Sequence, residues 1–550
     1  MVNWTAEYDV VVVGSGASGF AAAITAKNEG LKTLLIEKEA VFGGASALSG
    51  GGVWIPNNRY LVEAGVADSY EDAKNYLDST VGDRVSDDMK ETYLKRGIEM
   101  LDYFHELSPH MRYSYANNYS DYYPNRKGGK GRGRSIEPLL FDLNELGDWQ
   151  KLMRPPAMDT KGFVMTGQDF HKVNMISRTW KGKLRSLTLG WRLIQHIVLK
   201  KEFGALGQAL IGRLALAYKE LGGEIWVNCG FEDFIYEQDR VIGITANKDG
   251  QAISLKANKG VILGSGGFSR NQAYREKYLP QPTNAAWSSS PEGQTGDIIT
   301  PAEKLGAQFD LMDRVWGAPS FLDHKGRPFF LVADRGIPNM IIVDQQGNRF
   351  IDEPTPYHEF VDVMYAHEKE AGSVPSWLIL DKKAKKRYIF AGLFPGQDFP
   401  QAYYDNDIVL SAPTIAELAQ KMEVPVDALQ HTVERFNGFA RNGIDEDFHR
   451  GESAHDRYYG DPTLKNPNLD VIEEAPFYAM RVYPGDIGTK GGVVIDTQAR
   501  ILKTDGQPIN GVYATGNCSA SVMGESYPGP GATLGPGMTF GYIAAKHCNR

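Results

Sequence analysis

The sequence has little of three features that would each define a class of protein. It contains only three cysteines in 550 residues, Cys229, Cys518 and Cys548. An odd, scattered set provides neither a disulfide framework nor the spacing of metal ligands, so we expect no metal and a reducing, cytoplasmic location. No run of about 18 or more apolar residues is present, so we expect no membrane-spanning helix. The first residues also lack the basic and apolar segments of an export signal.

An excess of positive charge is also lacking. The formal net charge is −9 and the isoelectric point is about 5.8. A nucleic-acid-binding protein usually carries a broad basic surface, so we expect no nucleic-acid partner. The mean hydropathy of −0.35 agrees with a soluble or peripheral protein.

The beginning of the chain carries its most informative pattern. Four valines at 10–13 predict a strand that is buried on both faces. Gly14, Gly16 and Gly19 follow with the spacing of a dinucleotide-binding turn: the first permits the turn, the second a close approach of phosphate, and the third the packing of the next helix. Residues 20–29 are predicted to form that helix, whose free N–H groups would face the phosphates.

A second strand and a second glycine run extend this pattern. Residues 32–36 are predicted to form the strand, and Glu37 closes it at the position where an acid binds a ribose hydroxyl. Small residues then crowd 42–46 and 49–52, which leaves room for a bulky planar group beside backbone N–H donors. A run placed after the ribose acid favours a flavin contact.

The rest of the chain suggests a nucleotide-binding domain that is interrupted by a second domain. Residues 260–268 read as a strand that enters another glycine turn, and residues 511–517 as a strand that ends in a small-residue turn. Residues 301–476 carry no nucleotide signature. We therefore predict an α/β fold with a Rossmann-like parallel sheet, split into 1–300 and 477–550 by an α+β catalytic domain at 301–476.

The segment 181–201 is both basic and apolar. Its apolar residues recur at helical spacing with basic residues among them: Leu184, Leu187, Trp191, Ile194 and Val198, with Lys183, Arg185, Arg192, Lys200 and Lys201. Such a helix can lie in a membrane interface. An ordinary helix packed on its own domain explains the pattern equally well, and both readings stay open here.

These motifs together resemble the 3-ketosteroid Δ1-dehydrogenases, flavoproteins of the fumarate-reductase flavoprotein superfamily. The resemblance covers nearly the whole chain, and its most specific motif is Tyr-Pro-Gly-Pro-Gly at 527–531. The other matching motifs lie at 11–16, 37–38, 42–46, 121–123, 133–135, 209–213, 356–357 and 484–492. Two departures are Ala45, where many members have threonine, and a longer segment at about 157–203.

The resemblance implies non-covalent FAD, and no His or Cys in 43–52 offers a covalent link. The residues expected to bind it are Gly14, Ser15, Gly16, Ala17, Ser18, Gly19, Glu37, Lys38, Gly43, Gly44, Ala45, Ser46, Ser49, Gly50, Gly51, Gly266, Asp297, Gly516, Asn517, Ala532 and Leu534. The implied partners are a 3-ketosteroid and an unidentified electron acceptor. If the segment 181–201 lies in a membrane interface, as one of its two readings has it, the inner face of the cell membrane is a further partner.

The implied reaction removes two hydrogens across C1–C2 of a 3-ketosteroid. By the resemblance, Tyr527 and the amide of Gly531 hold the C3 oxygen, Tyr357 takes the C2 proton, and Tyr122 donates a hydrogen bond to Tyr357. His358 is the rival base, because its pKa suits the task. We rank it second, since an extended backbone would turn it away from the side of Tyr357.

Three other functions compete with this one. A 3-ketosteroid Δ4-dehydrogenase would differ in the bond that is oxidised. A fumarate-reductase-like alkene reductase would bind a dicarboxylate, whereas the Tyr-Pro-Gly-Pro-Gly loop offers a neutral site. A non-catalytic flavin-binding sensor would have no need of the three tyrosines.

Overall fold

The computed structural model describes residues 2–157 and 162–550. Its largest sheet is built around the strand Ala6–Val13, whose four valines lie in the core as predicted. This strand pairs in parallel with Thr33–Ile36 on one side and with Gln251–Leu263 on the other. The strands of this sheet, in spatial order, are Arg500–Leu502, Pro508–Ala514, Arg240–Lys248, Gln251–Leu263, Ala6–Val13, Thr33–Ile36 and Glu224–Trp226, with Cys229–Glu237 beside Arg240–Lys248.

The two ends of the chain meet in this sheet. Pro508–Ala514 pairs in parallel with the end of Gln251–Leu263, which places the C-terminal strand two positions from the N-terminal one. The C-terminal helix Leu534–Cys548 packs against Ala17–Asn28. That first helix begins at Ala17 rather than at Phe20, so the glycine turn leads into it directly.

A second sheet forms the core of the inserted region. It has four antiparallel strands, in the order Met340–Val343, Ser376–Asp381, Phe477–Val482 and Leu410–Ala412. Because Phe477–Val482 pairs with Ser376–Asp381 along its whole length, the predicted domain boundary between 476 and 477 needs to move beyond Val482. The division at residue 300 stays a prediction.

The remaining elements connect these two layers. The short strands are Val53–Trp54, Tyr113–Tyr115, Ser135–Pro138, Phe141–Asp142, Phe203–Gly204, Phe309–Asp310, Val315–Gly317, Ser320–Leu322, Pro328–Phe330, Asp486–Thr489 and Gly492–Val493. The helices are Ala17–Asn28, Arg59–Glu63, Tyr70–Thr80, Asp87–Leu107, Gly167–Val173, Trp180–Leu199, Leu206–Glu220, Gln272–Tyr278, Ile299–Lys304, Tyr357–Ala371, Lys382–Arg387, Gln401–Asp405, Ile415–Met422, Val426–Asn442, Ala454–Tyr458 and Leu534–Cys548.

The long segment at 157–203 contains a helical hairpin, Gly167–Val173 and Trp180–Leu199, and residues 158–161 of it lie outside the described part of the chain. Within 2–157 and 162–550, no helix has both the length and the apolar content that a membrane span requires.

Candidate active site

The first glycine turn has the geometry that its spacing predicts. Gly14 has a φ of +95°, and a Cβ there would lie 2.5 Å from the carbonyl oxygen of Gly264. A Cβ on Gly19 would overlap the carbonyl oxygen of Gly14. Only glycine fits both positions, so the strand, the turn and the helix are packed backbone to backbone.

The predicted ribose acid lies directly behind this turn. Glu37 is buried, and its carboxylate accepts hydrogen bonds from the backbone N–H (3.2 Å) and the hydroxyl (2.5 Å) of Ser15. The Ser15 hydroxyl accepts in turn from the N–H of Gly43 (3.0 Å), and the Ser46 hydroxyl accepts from the N–H of Ala17 (3.0 Å). The first turn, the acid and the second glycine run thus form one hydrogen-bonded unit.

Some of the other predicted cofactor residues form two further groups. On one side, Lys38 forms an ion pair with Asp297 (2.7 Å), and Gly266 packs against the side chain of Gln294. On the other side, a Cβ on Gly516 would lie 2.6 Å from the Ser18 hydroxyl oxygen.

A small, partly open cleft adjoins the second group. Gly516, Asn517 and Ala532 contribute to its lining, as does Trp316 from the inserted region. The cleft therefore lies where the nucleotide-binding layer meets the inserted one.

The second glycine run also keeps a clear space, because a Cβ on Gly50 would meet no atom within 4 Å. A free helix start, a buried acid and closely packed glycines are the features that a dinucleotide such as FAD requires, so the residues present fit this cofactor.

The three predicted catalytic tyrosines converge at the same junction, although they are far apart in the chain. The ring centroids of Tyr122 and Tyr357 are 5.4 Å apart, those of Tyr122 and Tyr527 are 5.2 Å apart, and those of Tyr357 and Tyr527 are 5.4 Å apart. All three pairs are edge-to-face, and all three rings are buried. We name Tyr122, Tyr357 and Tyr527 the tyrosine cluster.

The loop that carries Tyr527 is held from several directions. The carbonyl of Pro528 accepts from the Tyr122 N–H (3.0 Å) and the Tyr76 hydroxyl (2.6 Å), and the carbonyl of Pro530 accepts from the Ser135 hydroxyl (2.6 Å). Gly531 has a φ of +96°, and a Cβ there would overlap the carbonyl oxygen of Gly52. These contacts fix the loop against the second glycine run and preorganise its donors.

The tyrosine cluster is buried, and the pKa values of its hydroxyl groups reflect this. Burial raises the pKa of Tyr122 and of Tyr357 well above the usual tyrosine value. Burial also raises the pKa of Tyr527, while its contacts with Tyr357, Thr533 and the amide of Gly531 lower it. The contact with Tyr122 lowers the pKa of Tyr357, but that with Tyr527 raises it.

The expected hydrogen bond from Tyr122 to Tyr357 is not formed at normal length. Among the described residues, the buried Tyr122 hydroxyl has no hydrogen-bond partner. A buried hydroxyl without a partner is costly, so this oxygen marks a place where a polar group of a ligand or a closer Tyr357 would be stabilised.

The extended backbone that we expected around His358 is wrong. Tyr357 begins the helix Tyr357–Ala371, so His358 turns to a different side and its ring lies 5.7 Å from that of Tyr527. Its Nε2 is 3.1 Å from the Tyr123 hydroxyl, and burial holds its pKa well below the usual histidine value. A histidine that resists protonation is a weak base, so Tyr357 still ranks first.

Sequence reasoning missed two residues beside the tyrosine cluster. The Lys490 ammonium is buried and donates to the carbonyls of Glu525 (2.7 Å) and Ser526 (3.0 Å), immediately before Tyr527. Burial lowers the pKa of Lys490 to about 7. His455 lies edge-to-face against Tyr122 at 4.9 Å. The one available signal was a lysine among glycines and small residues at 488–492.

The helix Trp180–Leu199 is packed mainly through its glycine and arginine residues. Gly182, Leu189 and Arg192 are buried, and Arg185 and Arg192 both pair with the buried Asp169. These two arginines therefore anchor the helix rather than face solvent. Eight large apolar residues of the same helix are each between 50% and 77% exposed: Trp180, Leu184, Leu187, Trp191, Ile194, Ile197, Val198 and Leu199.

Comparison with known proteins identifies the class first. The family model described as "FAD binding domain" matches residues 9–534. The fold and the glycine-lined site thus define a flavoprotein of this FAD-binding family, and FAD is its cofactor.

The relatives narrow this class. A 3-oxosteroid 1-dehydrogenase of Mycolicibacterium smegmatis is 46% identical, over 98% of this chain and 96% of its own. One of Mycobacterium tuberculosis is 44% identical, over 98% of each chain. The crystal structure of a 3-ketosteroid Δ1-dehydrogenase from Sterolibacterium denitrificans, in complex with 1,4-androstadiene-3,17-dione, is 39% identical with a TM-score of 0.92 and 99% coverage of both chains. The chain belongs to the 3-oxosteroid 1-dehydrogenase family.

Proposed function

We propose that this protein catalyses the FAD-dependent 1,2-dehydrogenation of 3-ketosteroids, with transfer of electrons to a separate acceptor. The observation that carries the proposal is the convergence of Tyr122, Tyr357 and Tyr527 beside Gly531, at the junction of the nucleotide-binding layer and the inserted region. The similarity to enzymes that are named for this reaction supports it.

Each group has a role that its chemistry permits. The C2 hydrogen is acidic because the C3 ketone can accept the charge that its loss leaves behind. The Tyr527 hydroxyl and the Gly531 amide donate to that oxygen as charge develops. Tyr357 removes the C2 proton, and Tyr122 stabilises the phenolate of Tyr357 by donating a hydrogen bond. Bound FAD supplies the acceptor, flavin N5, for the hydride that leaves C1.

The test is flavin reduction under anaerobic conditions with a 3-ketosteroid, followed by analysis of the product. We expect a bleached flavin and a C1–C2 double bond. A C4–C5 double bond would instead favour a Δ4-dehydrogenase, and oxidation of reduced flavin by fumarate would favour an alkene reductase.

Two conservative variants test the division of roles. Tyr357→Phe keeps the ring but removes the base, so flavin reduction at saturating steroid should nearly stop. Tyr527→Phe removes one of two donors, and such a loss costs about 10²–10³-fold in rate. Both variants should retain FAD. If Tyr357→Phe reduces its flavin at close to the wild-type rate, Tyr357 is not the base and His358 becomes the residue to test.

We also propose that the helix Trp180–Leu199 docks this protein on an anionic membrane surface. The eight large apolar residues of this helix are each at least half exposed, and exposed apolar patches mark interaction sites. Lys181, Lys183, Lys200 and Lys201 flank that surface at the two ends of the helix. Apolar insertion together with basic flanks is typical of helices that lie in the membrane interface.

Co-sedimentation with anionic liposomes at low salt tests this second proposal. We expect wild type to bind, high salt to weaken binding, and Lys181→Glu combined with Lys183→Glu to weaken it further. Lys325→Glu combined with Lys369→Glu is the matched control, because it makes the same charge change at two exposed lysines elsewhere. An equal loss of liposome binding in the two double variants, or no binding by wild type, would contradict docking through this helix.

A further inference from the structure

Arg335 is a buried cation with no ion-pair partner in the described part of the chain. It lies in the short 3₁₀ turn Asp334–Gly336 and is only 2% exposed. Its guanidinium donates to three backbone carbonyls: those of Leu331 (2.9 Å), Glu353 (2.6 Å) and Thr355 (2.9 Å). Within the described residues, it has no carboxylate at ion-pair distance.

Most other buried arginines of this chain have a carboxylate partner; Arg213, which among the described residues donates only to the carbonyls of His110, Leu139 and Leu140, shares the pattern of Arg335 but lies away from the tyrosine cluster. Arg134 pairs with Asp68 and Asp121. Arg275 pairs with Asp486 (2.6 Å), and Arg450 pairs with Glu353 (2.8 Å). An isolated buried charge is expensive, so a fold that retains one beside its reaction site invites a functional explanation.

The ionisable groups near Arg335 include two carboxyls and a histidine, and all three have displaced pKa values. Burial raises the pKa of Asp352 well above its usual value and that of Asp334 to about 6. Burial and the charge of Arg335 together lower the pKa of His455 to about 3. Burial lowers the pKa of Arg335 itself to about 10, so the guanidinium stays charged at neutral pH. Above about pH 6 Asp334 ionises and offsets part of this charge from beyond ion-pair distance, whereas His455 stays neutral.

The positive charge of Arg335 acts on nearby tyrosine hydroxyl groups. Its charge interacts with the hydroxyl groups of Tyr119 and Tyr122, and it lowers the pKa of Tyr119. The Tyr119 ring lies 6.4 Å from that of Tyr122, which contacts Tyr357 in turn. Two of the three carbonyls that Arg335 holds belong to the segment 353–355, immediately before Tyr357.

We propose that Arg335 is the positioning residue that makes Tyr357 a competent base: its charge stabilises the phenolate form shared by Tyr122 and Tyr357, and its hydrogen bonds hold the segment that presents Tyr357. This inference rests on the proposed role of Tyr357. It answers a problem that the tyrosine cluster poses, because burial alone makes every phenol there harder to ionise. A buried cation acts in the opposite direction and is weakly screened in a dry site.

The experiment compares Arg335→Gln with Arg335→Lys. The rate of flavin reduction at saturating steroid is measured from pH 6 to pH 10, together with FAD content and thermal unfolding. In wild type the rate should rise with pH as the base ionises. In Arg335→Gln we expect the midpoint to move to higher pH by about one unit or more, so that the rate below the midpoint falls about tenfold per unit. Arg335→Lys keeps the charge, and its midpoint should stay within about half a unit.

A purely structural role predicts a different result. It would lower the rate of both variants at every pH without moving either midpoint, and that outcome overturns the proposal. If Arg335→Gln does not fold or loses FAD, Arg335→Lys decides alone: a retained midpoint supports the charge, and a midpoint displaced to higher pH refutes it. Failure of the proposed function is recognised separately, since Tyr357→Phe would then remain active.

Discussion

The tyrosine cluster and the helix Trp180–Leu199 distribute polar and apolar groups in opposite ways. In the cluster, phenols and the nearby ammonium of Lys490 and guanidinium of Arg335 are buried. On the helix, eight large apolar side chains face solvent. Ordinary folding stability favours neither arrangement, because buried polar groups and exposed apolar patches both cost free energy. Under the two proposals above, each would be explained by something outside the free chain: a ketone in the first case and a membrane surface in the second.

The two regions are also held to the rest of the protein by different kinds of contact. The tyrosine cluster is held by backbone hydrogen bonds and by glycines that no other residue could replace. The helix is held through Gly182, Leu189 and the pairing of Arg185 and Arg192 with Asp169. We expect substitutions in the first region to be far more damaging than equivalent ones on the exposed face of the second.

The largest difference between the two regions should come from changing a glycine to alanine, at Gly531 beside the tyrosine cluster and at Gly190 in the helix Trp180–Leu199. Gly531→Ala places a Cβ against the Gly52 carbonyl at a φ of +96°. The loop would have to move, so the Gly531 amide and the Tyr527 hydroxyl would no longer point to the position proposed for the ketone oxygen. We expect at least the 10²–10³-fold loss that removal of one donor causes, measured as anaerobic flavin reduction. A near-normal rate of flavin reduction would show that the position of this loop does not affect the reaction.

A smaller effect is expected at the contact between the helical hairpin and the body of the protein. Glu137 accepts from the N–H of Gly167 (2.9 Å), and burial raises its pKa from 4.5 to about 7. The folded state then holds a proton that the unfolded state has lost, so stability falls as pH rises from about 4.5 through 7. Glu137→Gln removes this pH-dependent loss of folding stability, because glutamine does not ionise. The difference in Tm between the variant and wild type should grow in favour of the variant from pH 5 to pH 8, and a constant difference would contradict it.

The smallest effect is expected for Gly190→Ala, the counterpart of Gly531→Ala. Gly190 lies inside the helix Trp180–Leu199, and a Cβ there would meet no atom within 4 Å. Alanine is favoured over glycine in a helix interior by up to about 1 kcal/mol. We therefore expect an unchanged or slightly higher Tm and an unchanged rate of flavin reduction. A marked loss of either would mean that this face of the helix is in contact with something.

Local patterns explain why much of the nucleotide-binding region was predictable. The strand at 10–13, the glycine turn and the acid at 37 depend on backbone geometry within a few residues, and the structure places them as expected. The helix at 181–201 was also predictable from its period. Its exposed face was not, because periodicity distinguishes two faces without showing which one the rest of the protein covers.

The candidate site was predictable only in part. The resemblance pointed to Tyr122, Tyr357 and Tyr527, and the structure brings them together. The backbone expected at His358 was wrong, because an extended segment was expected there, whereas Pro356 caps the helix that begins at Tyr357. Arg335 carried no signal at all, since a single arginine in a loop is ordinary until its surroundings are known.

The sequence by itself determined the nucleotide-binding turn, the strands beside it and the two-faced helix, because each depends on neighbours within about one turn or strand. Tertiary structure alone decided which charges are buried without partners and which apolar groups are exposed. Those properties depend on residues that are hundreds of positions apart, such as Tyr122, Tyr357 and Tyr527. Burial and field strength are sums over all surrounding atoms, so they exist only once the chain has folded.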